Sequence, residues 1–334
     1  MTPRALFSLL FHADKALDLL QAALELGVLD RLDAGPVGLE ALCAGTGARP
    51  LRMYKFLDGL ESLGLVERLQ PQDAIASSTY VSRAPLADAA RAALGPESIE
   101  RDRDRYAWRE IHGRLPAVLR GAQSTPFAWP PRAPEDVAAF ETSMAAGSAP
   151  IVEALRAHRA EVFGGAPLRW LDVGGGDGAV AAGVLPHAPG VVCDVYNLPA
   201  VEPLVRRRAA DGGLEGRLGF VAGDFLREPL PRGYDVLSFV RVLHDWPAET
   251  ARALLDAARA ALAPGARILV TEELRTSDRL ALQFFWTYFL LGVDACVSRL
   301  REVDWYLRAL GEGGFVDVRV LEGAFDLVLA RRGE

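Results

Sequence analysis

The sequence predicts an α/β chain: a doubly wound parallel sheet, preceded by a mostly helical unit of winged-helix type. Three observations predict it. From residue 168 onward, short apolar runs alternate with amphipathic helical stretches, as in a parallel sheet covered on both faces. The first of these runs, RWLDV, leads directly into the glycine-rich LDVGGGDGAV (171–180). The first ninety or so residues read instead as three helices and a two-stranded wing. A chain of 334 residues, 50% of them hydrophobic, can bury a core for each of two such units. The boundary is placed between residues 96 and 97.

The elements follow in order. In ALDLLQAALELGVLDRL, the residues Leu17, Leu20, Leu24 and Val28 step by 3, 4 and 4, which is one helix face. GLEALCAGTG and PLRMYKFLDGLESLG predict two further short helices, and LVERLQ and STYVSR the wing around a turn at Pro71. One of these helices carries Arg49, Arg52 and Lys55, but Asp58 and Glu61 follow, so it reads as a solvated face before a DNA-reading one. Residues 97–163 look helical, with a proline-rich interruption at STPFAWPPRAP (124–134). The strands RWLDV, GVVCDV, LGFVAGD, YDVLSFVRVL and RILVTEE then alternate with helices, among them AETARALLDAARAALAPG, which stops at Pro264–Gly265. GFVDVRVLEGAFDLVLARR closes the chain with two more strands.

Composition narrows the function. A net charge of −7 and an isoelectric point near 5.4 argue against general nucleic-acid binding. Cys43, Cys193 and Cys296 lie far apart and form no zinc or iron–sulfur spacing, which suits a reduced, cytoplasmic protein. The N-terminus meets His12, Asp14 and Lys15 too early for a secretory signal. No apolar run reaches the length of a membrane span, and Gln283 and Thr287 interrupt the nearest, LALQFFWTYFLLGV.

The glycine loop carries the first chemistry. Gly174, Gly175 and Gly176 let the backbone turn sharply and approach a ligand, and the helix start that follows favours an anion or a carboxylate. Gly174-x-Gly176-x-x-Ala179 also fits a dinucleotide fingerprint, with Asp194 20 residues after Gly174, so a nicotinamide dehydrogenase is one reading. Against it, this βαβ unit starts only at residue 168.

A second set of residues points elsewhere: LDVGGGDG (171–178), NLPAV (197–201), GDF (223–225), RVLHDW (241–246), ALAPGARILVTEE (261–273) and GGF (313–315). In order and spacing the chain resembles the S-adenosylmethionine-dependent small-molecule O-methyltransferases with an N-terminal winged-helix dimerisation domain. Plant phenolic and bacterial secondary-metabolite and carotenoid enzymes are of this kind. The resemblance spans roughly residues 10 to 330. It implies a Rossmann-like sheet of the class I methyltransferase kind, S-adenosylmethionine as cofactor and a homodimer; no acidic cluster suggests a divalent metal, so metal-independent catalysis is expected.

The resemblance also implies residue roles. Family members carry Asp-Leu-Pro where this chain has Asn197-Leu198-Pro199, so Asn197 takes the ribose position. Asp194, three residues earlier, is the competitor; that odd offset in a strand points to the other face, about 10 Å away. Asn197 still donates to and accepts from a hydroxyl but gives up a charge-assisted bond, a loss of about 1 kcal/mol. Gly174 and Gly176 cradle the cofactor, and Asp224 and Phe225 hold its adenine. His244 is the general base and Glu272, 28 residues on, holds it. A phenol ionises near pH 10, so a base at pH 7 faces a gap of about 4 kcal/mol, and a positioned one contributes about 10²–10⁴-fold. Histidine suits because it is mostly neutral at pH 7. The family's second acid before an Arg-Thr pair is missing: Leu300 precedes Arg301, with Glu302 in place of the Thr, and Glu302 or Asp294 is the displaced candidate.

The acceptor is expected to be flat and apolar: a phenol, polyketide, indole or pigment. The resemblance implies that Met144 and the aromatic stretch with Phe285 and Phe289 line its site, and that Phe7 and Phe11 lie where the family's N-terminal helix reaches the partner. The departures at Asn197 and Leu300 leave a second reading, in which the bound cofactor supports decarboxylation, hydroxylation or cyclisation instead. A ligand-sensing winged-helix regulator is a third.

Overall fold

The computed structural model of the protein describes residues 2–69, 77–94, 115–122, 131–145, 147–165, 167–275, 300–323 and 325–334. Contacts divide the chain into two compact units, Met1–Asp104 and Arg105–Glu334.

The first unit runs α1 (Pro3–Phe11), α2 (Ala13–Glu25), α3 (Val28–Asp33), β1 (Val37–Gly38), α4 (Leu39–Thr46), α5 (Pro50–Ser62), β2 (Val66–Arg68), β3 (Thr79–Ser82) and α6 (Ala87–Leu94). The expected single helix face from Leu17 to Val28 is broken. Gly27 adopts φ 64, a conformation open to glycine, and α3 starts afresh behind it. Leu17 is accordingly 46% exposed while Val28 is fully buried. β3 lies between β1 and β2, antiparallel to both. The turn expected at Pro71 lies outside the described residues. The core gathers Leu29, Leu32, Leu42, Leu57, Leu60 and Tyr80. The Asp33 carboxylate accepts from the amides of Leu86 and Ala87, both at 2.8 Å, and so satisfies the start of α6. On α1, Phe7, Leu10 and Phe11 are exposed.

The second unit opens with helices α7 (Leu115–Val118), α8 (Pro134–Ala145), α9 (Ala149–Ala157) and α10 (Arg159–Phe163). Then come β4 (Leu168–Val173), α11 (Ala179–Val184), β5 (Val191–Asn197), α12 (Glu202–Asp211), β6 (Leu218–Ala222) and β7 (Val236–Val240). α13 (Ala248–Ala261), β8 (Arg267–Thr271), α14 (Val303–Glu312), β9 (Phe315–Leu321) and β10 (Leu327–Arg332) complete it. The seven strands are ordered β6-β5-β4-β7-β8-β10-β9. The first five are parallel, and β10 is antiparallel to both its neighbours.

Both faces of the sheet are covered, and the pleat sorts the side chains. On β4, Trp170 joins the core with Phe163, Val195 and Leu269, whereas Leu171 and Val173 join Phe239, Val270 and Tyr306 on the other face. All five residues of β7 are buried. That strand is shorter than YDVLSFVRVL suggested, because it ends at Val240 and Arg241 turns away at φ 54. The chain winds outward from β4 through β5 to β6, then returns to the other side of β4 as β7 and β8. This reversal places a crevice at the carboxyl ends of β4 and β7, where open α/β sheets bind ligands.

Candidate active site

At that edge the strands end nearly level. Val173 pairs with Tyr196 and with Phe239, and Val240 pairs with Thr271. The next residues along, Gly174, Asn197, Arg241 and Glu272, therefore lie near one another across four strands. A cavity opens there, with Gly174, Gly176, Asn197, Phe225, Met144 and His244 in its wall.

The glycine loop forms the cavity floor. The Gly174 amide donates to the Tyr196 carbonyl at 2.8 Å. Gly174 and Gly176 sit at φ 72 and φ 55. A Cβ at Gly174 would meet Val242 Cγ2 at 2.8 Å, and one at Gly176 would meet Glu141 Oε2 at 2.5 Å. The loop thus exposes bare backbone where any side chain would intrude. Beneath it, Asp172 is fully buried. Its Oδ1 accepts from Ser238 Oγ at 2.5 Å, while Oδ2 has no hydrogen-bond partner among the described residues. Burial pushes the Asp172 carboxyl up to about 7, against the Ser238 hydrogen bond.

The two competitors for the ribose part company. Asn197 lines the cavity; its Oδ1 accepts from the Leu198 amide at 2.8 Å, which turns the side-chain NH₂ outward for donation. β5 runs unbroken to Asn197, so Asp194 stays within the strand. Asp194 Oδ2 accepts from the Tyr234 hydroxyl at 2.8 Å and from the Arg169 guanidinium at 3.1 Å. It is absent from the cavity wall. Asp224 and Phe225, just past β6, also line the cavity, and Phe225 meets Trp246 edge-on at 6.1 Å between ring centres.

His244 occupies a short turn, Leu243–Asp245, after β7 and is 2% exposed. Glu272, the first residue past β8, holds this turn from one side. Its Oε1 accepts from the amides of Val242 and Leu243 at 3.0 and 2.6 Å, and its Oε2 bonds His244 Nδ1. Arg301 holds it from the other: its guanidinium donates to the carbonyls of Leu243 and Trp246 and lies over the Trp305 ring. His244 Nε2 lies 3.4 Å from Asp245 Oδ1.

This setting changes one expectation. Burial disfavours the His244 imidazolium, but the charges of Glu272 and Asp245, with the Glu272 hydrogen bond, overcome it and raise the pKa to about 9. His244 therefore holds a proton more readily than a free imidazole does. The gain is basicity close to that of a phenolate.

Of the residues picked out in sequence, Gly174, Gly176, Asn197, Asp224, Phe225, His244 and Met144 share the cavity, and Glu272 stands behind His244. Phe285, Phe289 and Asp294 lie outside the described residues. Leu300 is buried, and Glu302 is half-exposed 3.9 Å from Arg275, outside the cavity wall. Sequence reasoning gave no role to Arg301, Asp245 or Glu141. The run HDW could have drawn attention to Asp245; nothing local marks Glu141. Among the described residues no three His, Cys, Asp or Glu are gathered to hold a metal ion. Nor is any described helix long and apolar enough to cross a membrane.

Comparison with known proteins places the chain. Residues 98–288 match the O-methyltransferase domain family. The demethylspheroidene O-methyltransferase of Cereibacter sphaeroides is 30% identical over 318 residues, covering 91% of this chain and 79% of that protein. The mitomycin biosynthesis 6-O-methyltransferase of Streptomyces lavendulae is 29% identical, covering 81% and 78%. The crystal structure of human N-acetylserotonin methyltransferase in complex with S-adenosylmethionine shares the fold, with a TM-score of 0.61 at 24% identity over 100% of this chain and 99% of that one. None of these is a dehydrogenase, a decarboxylase or a regulator. The chain belongs to the O-methyltransferase domain family and is an S-adenosylmethionine-dependent O-methyltransferase.

Proposed function

We propose that the cavity methylates a hydroxyl of a flat, apolar small molecule, with His244 as general base and Glu272 as its support. The observation that carries this reading is the buried His244–Glu272 pair in the wall of the cavity that the glycine loop floors. The cavity suits the cofactor. Bare backbone at Gly174 and Gly176 admits close approach, and the unpartnered Asp172 Oδ2 offers an acceptor beneath it. Gly174 and Gly176 would cradle it, Asn197 would bond the ribose, and Asp224 with Phe225 would hold the adenine. When bound, S-adenosylmethionine supplies a methyl group on a positively charged sulfur, ready for transfer to an oxygen nucleophile.

The chain's own residues do the rest. Glu272 keeps the Nδ1 proton in place, so neutral His244 presents Nε2 as the acceptor. His244 takes the hydroxyl proton, and Glu272 stabilises the imidazolium that forms. Arg301 and the Glu272–amide bonds fix the turn, so the base does not have to be oriented in each turnover. Met144 stands in the wall on the acceptor side, with Phe285 and Phe289 assigned to the same role.

We read residues 1–96 as a winged-helix dimerisation domain and 97–334 as the catalytic domain of a cytoplasmic homodimer. The helix-and-wing element order and the exposed apolar residues of α1 support the dimer, and the free thiols of Cys43 and Cys193 support the compartment. The test is His244→Ala in an acceptor screen read by product mass. The wild type should add one methyl per hydroxyl. The variant should lose at least about a hundredfold in turnover while S-adenosylhomocysteine affinity stays put. Near-normal turnover would remove the base role.

A further inference from the structure

α8 carries a carboxylate on its buried side. Glu141 is 8% exposed, on the same helix as buried Val137, and it lines the cavity. A buried carboxylate demands compensation. Its charge is eased by the neighbouring Asp177 backbone and by Arg241, whose guanidinium donates to the Met144 carbonyl at 2.6 Å. Asp177 is itself engaged, by the Ala179 amide at 3.0 Å and by Arg208. Glu141 Oε2 lies against Gly176, in the wall of the same cavity as Asn197 and Asp224. With Asn197 at the ribose and Gly174–Gly176 as the cradle, Glu141 beside Gly176 would be within reach of the cofactor's amino-acid end.

We propose that Glu141 holds the α-ammonium group of S-adenosylmethionine by a charge-assisted hydrogen bond. The assignment rests on the cofactor placement given above. Mid-cavity carboxylates are otherwise unfavourable, and an ammonium is the group that turns this one into an asset. Titration supports it. Burial, then the charge of Asp177, push the Glu141 carboxyl up to about 8, against Arg241 and the Asp177 amide. A cation arriving beside Glu141 opposes both effects and favours its ionised form.

The experiment is calorimetric titration of the full chain and of Glu141→Gln, with two probes. S-adenosylhomocysteine keeps the amino-acid end; 5′-methylthioadenosine lacks it. The expected result is a loss of about tenfold to a hundredfold for S-adenosylhomocysteine, with 5′-methylthioadenosine within about twofold. Runs in two buffers of different ionisation heat should show more proton release for the wild type at pH 7 than for the variant, in which only Asp172 can still respond. Equal losses for both probes would mean that Glu141 only shapes the loop, and unchanged S-adenosylhomocysteine binding would also overturn the assignment. Failure of the wild type to bind S-adenosylhomocysteine would sink the cofactor placement itself, and this inference with it.

Discussion

Replacing Glu272 with Gln changes one atom and tests the whole base assembly. Two backbone amides, Val242 and Leu243, donate to Oε1, and His244 Nδ1 meets Oε2. In the amide, the two backbone donors claim the carbonyl oxygen, so the NH₂ faces Nδ1. Neutral His244 must then carry its proton on Nε2, the nitrogen that should accept one. The pKa falls as well. Glu272 is the largest cause raising His244 from 6.5 to about 9, and burial, which opposes it, remains. The pKa therefore falls from about 9, with only the charges of Asp245 and Glu273 left to raise it. The base must be neutral to act, so wild-type kcat/KM should climb with pH and level off above about 9. Glu272→Gln should lack that inflection and lie about 10²–10⁴-fold lower at pH 9, with S-adenosylhomocysteine affinity within about twofold. His244→Ala serves as the control, since any limb due to the acceptor's own ionisation survives in it. A Glu272→Gln profile that still turns near pH 9, within about tenfold of the wild type, would refute the reasoning.

Other outcomes follow from the same geometry. Asn197→Asp should tighten S-adenosylhomocysteine several-fold, about 1 kcal/mol, by calorimetry, whereas Asp194→Asn should lower Tm and leave that affinity alone. Gly176→Ala sets an alanine at φ 55 against Glu141 Oε2; it should cost about 1–2 kcal/mol in denaturant titration and weaken cofactor binding. Stability should also track His244. Its folded pKa is raised, so the contribution is fully present below about 6.5 and is lost as pH rises through about 9. Tm measured across that window should decline in the wild type and less so in Glu272→Gln.

The parallel sheet was legible because fully buried strands are written as short apolar runs, and VLSFV is buried at all five positions. The positions of Gly174, Asn197, His244 and Glu272 were legible because each sits where such a run stops. The choice between Asn197 and Asp194 rested on the pleat, and the partners that occupy Asp194, Arg169 and Tyr234, lie 25 and 40 residues away. Contacts of that kind leave no local trace. Arg301 reaches Leu243 across 58 residues, and Glu141 meets the loop from a helix that precedes it. The proton affinity of His244 left no local trace for the same reason: it is a balance of burial against three carboxylates, and only the fold assembles that balance.

The raised proton affinity of His244 has a consequence for which molecules the enzyme keeps and which it lets go. Glu272 and Asp245 favour a proton on His244, so the resting base carries an N–H donor whose charge those carboxylates already balance. With His244 as the proposed base, an acceptor that arrives as a phenolate would find that N–H to accept from, so acidity as well as shape would bear on which hydroxyls are held. The methylated product has neither a negative charge nor a proton to share. Reaction thus erases the feature that retained the acceptor, and the imidazolium that remains has nothing to hold, which favours departure of the ether over its rebinding.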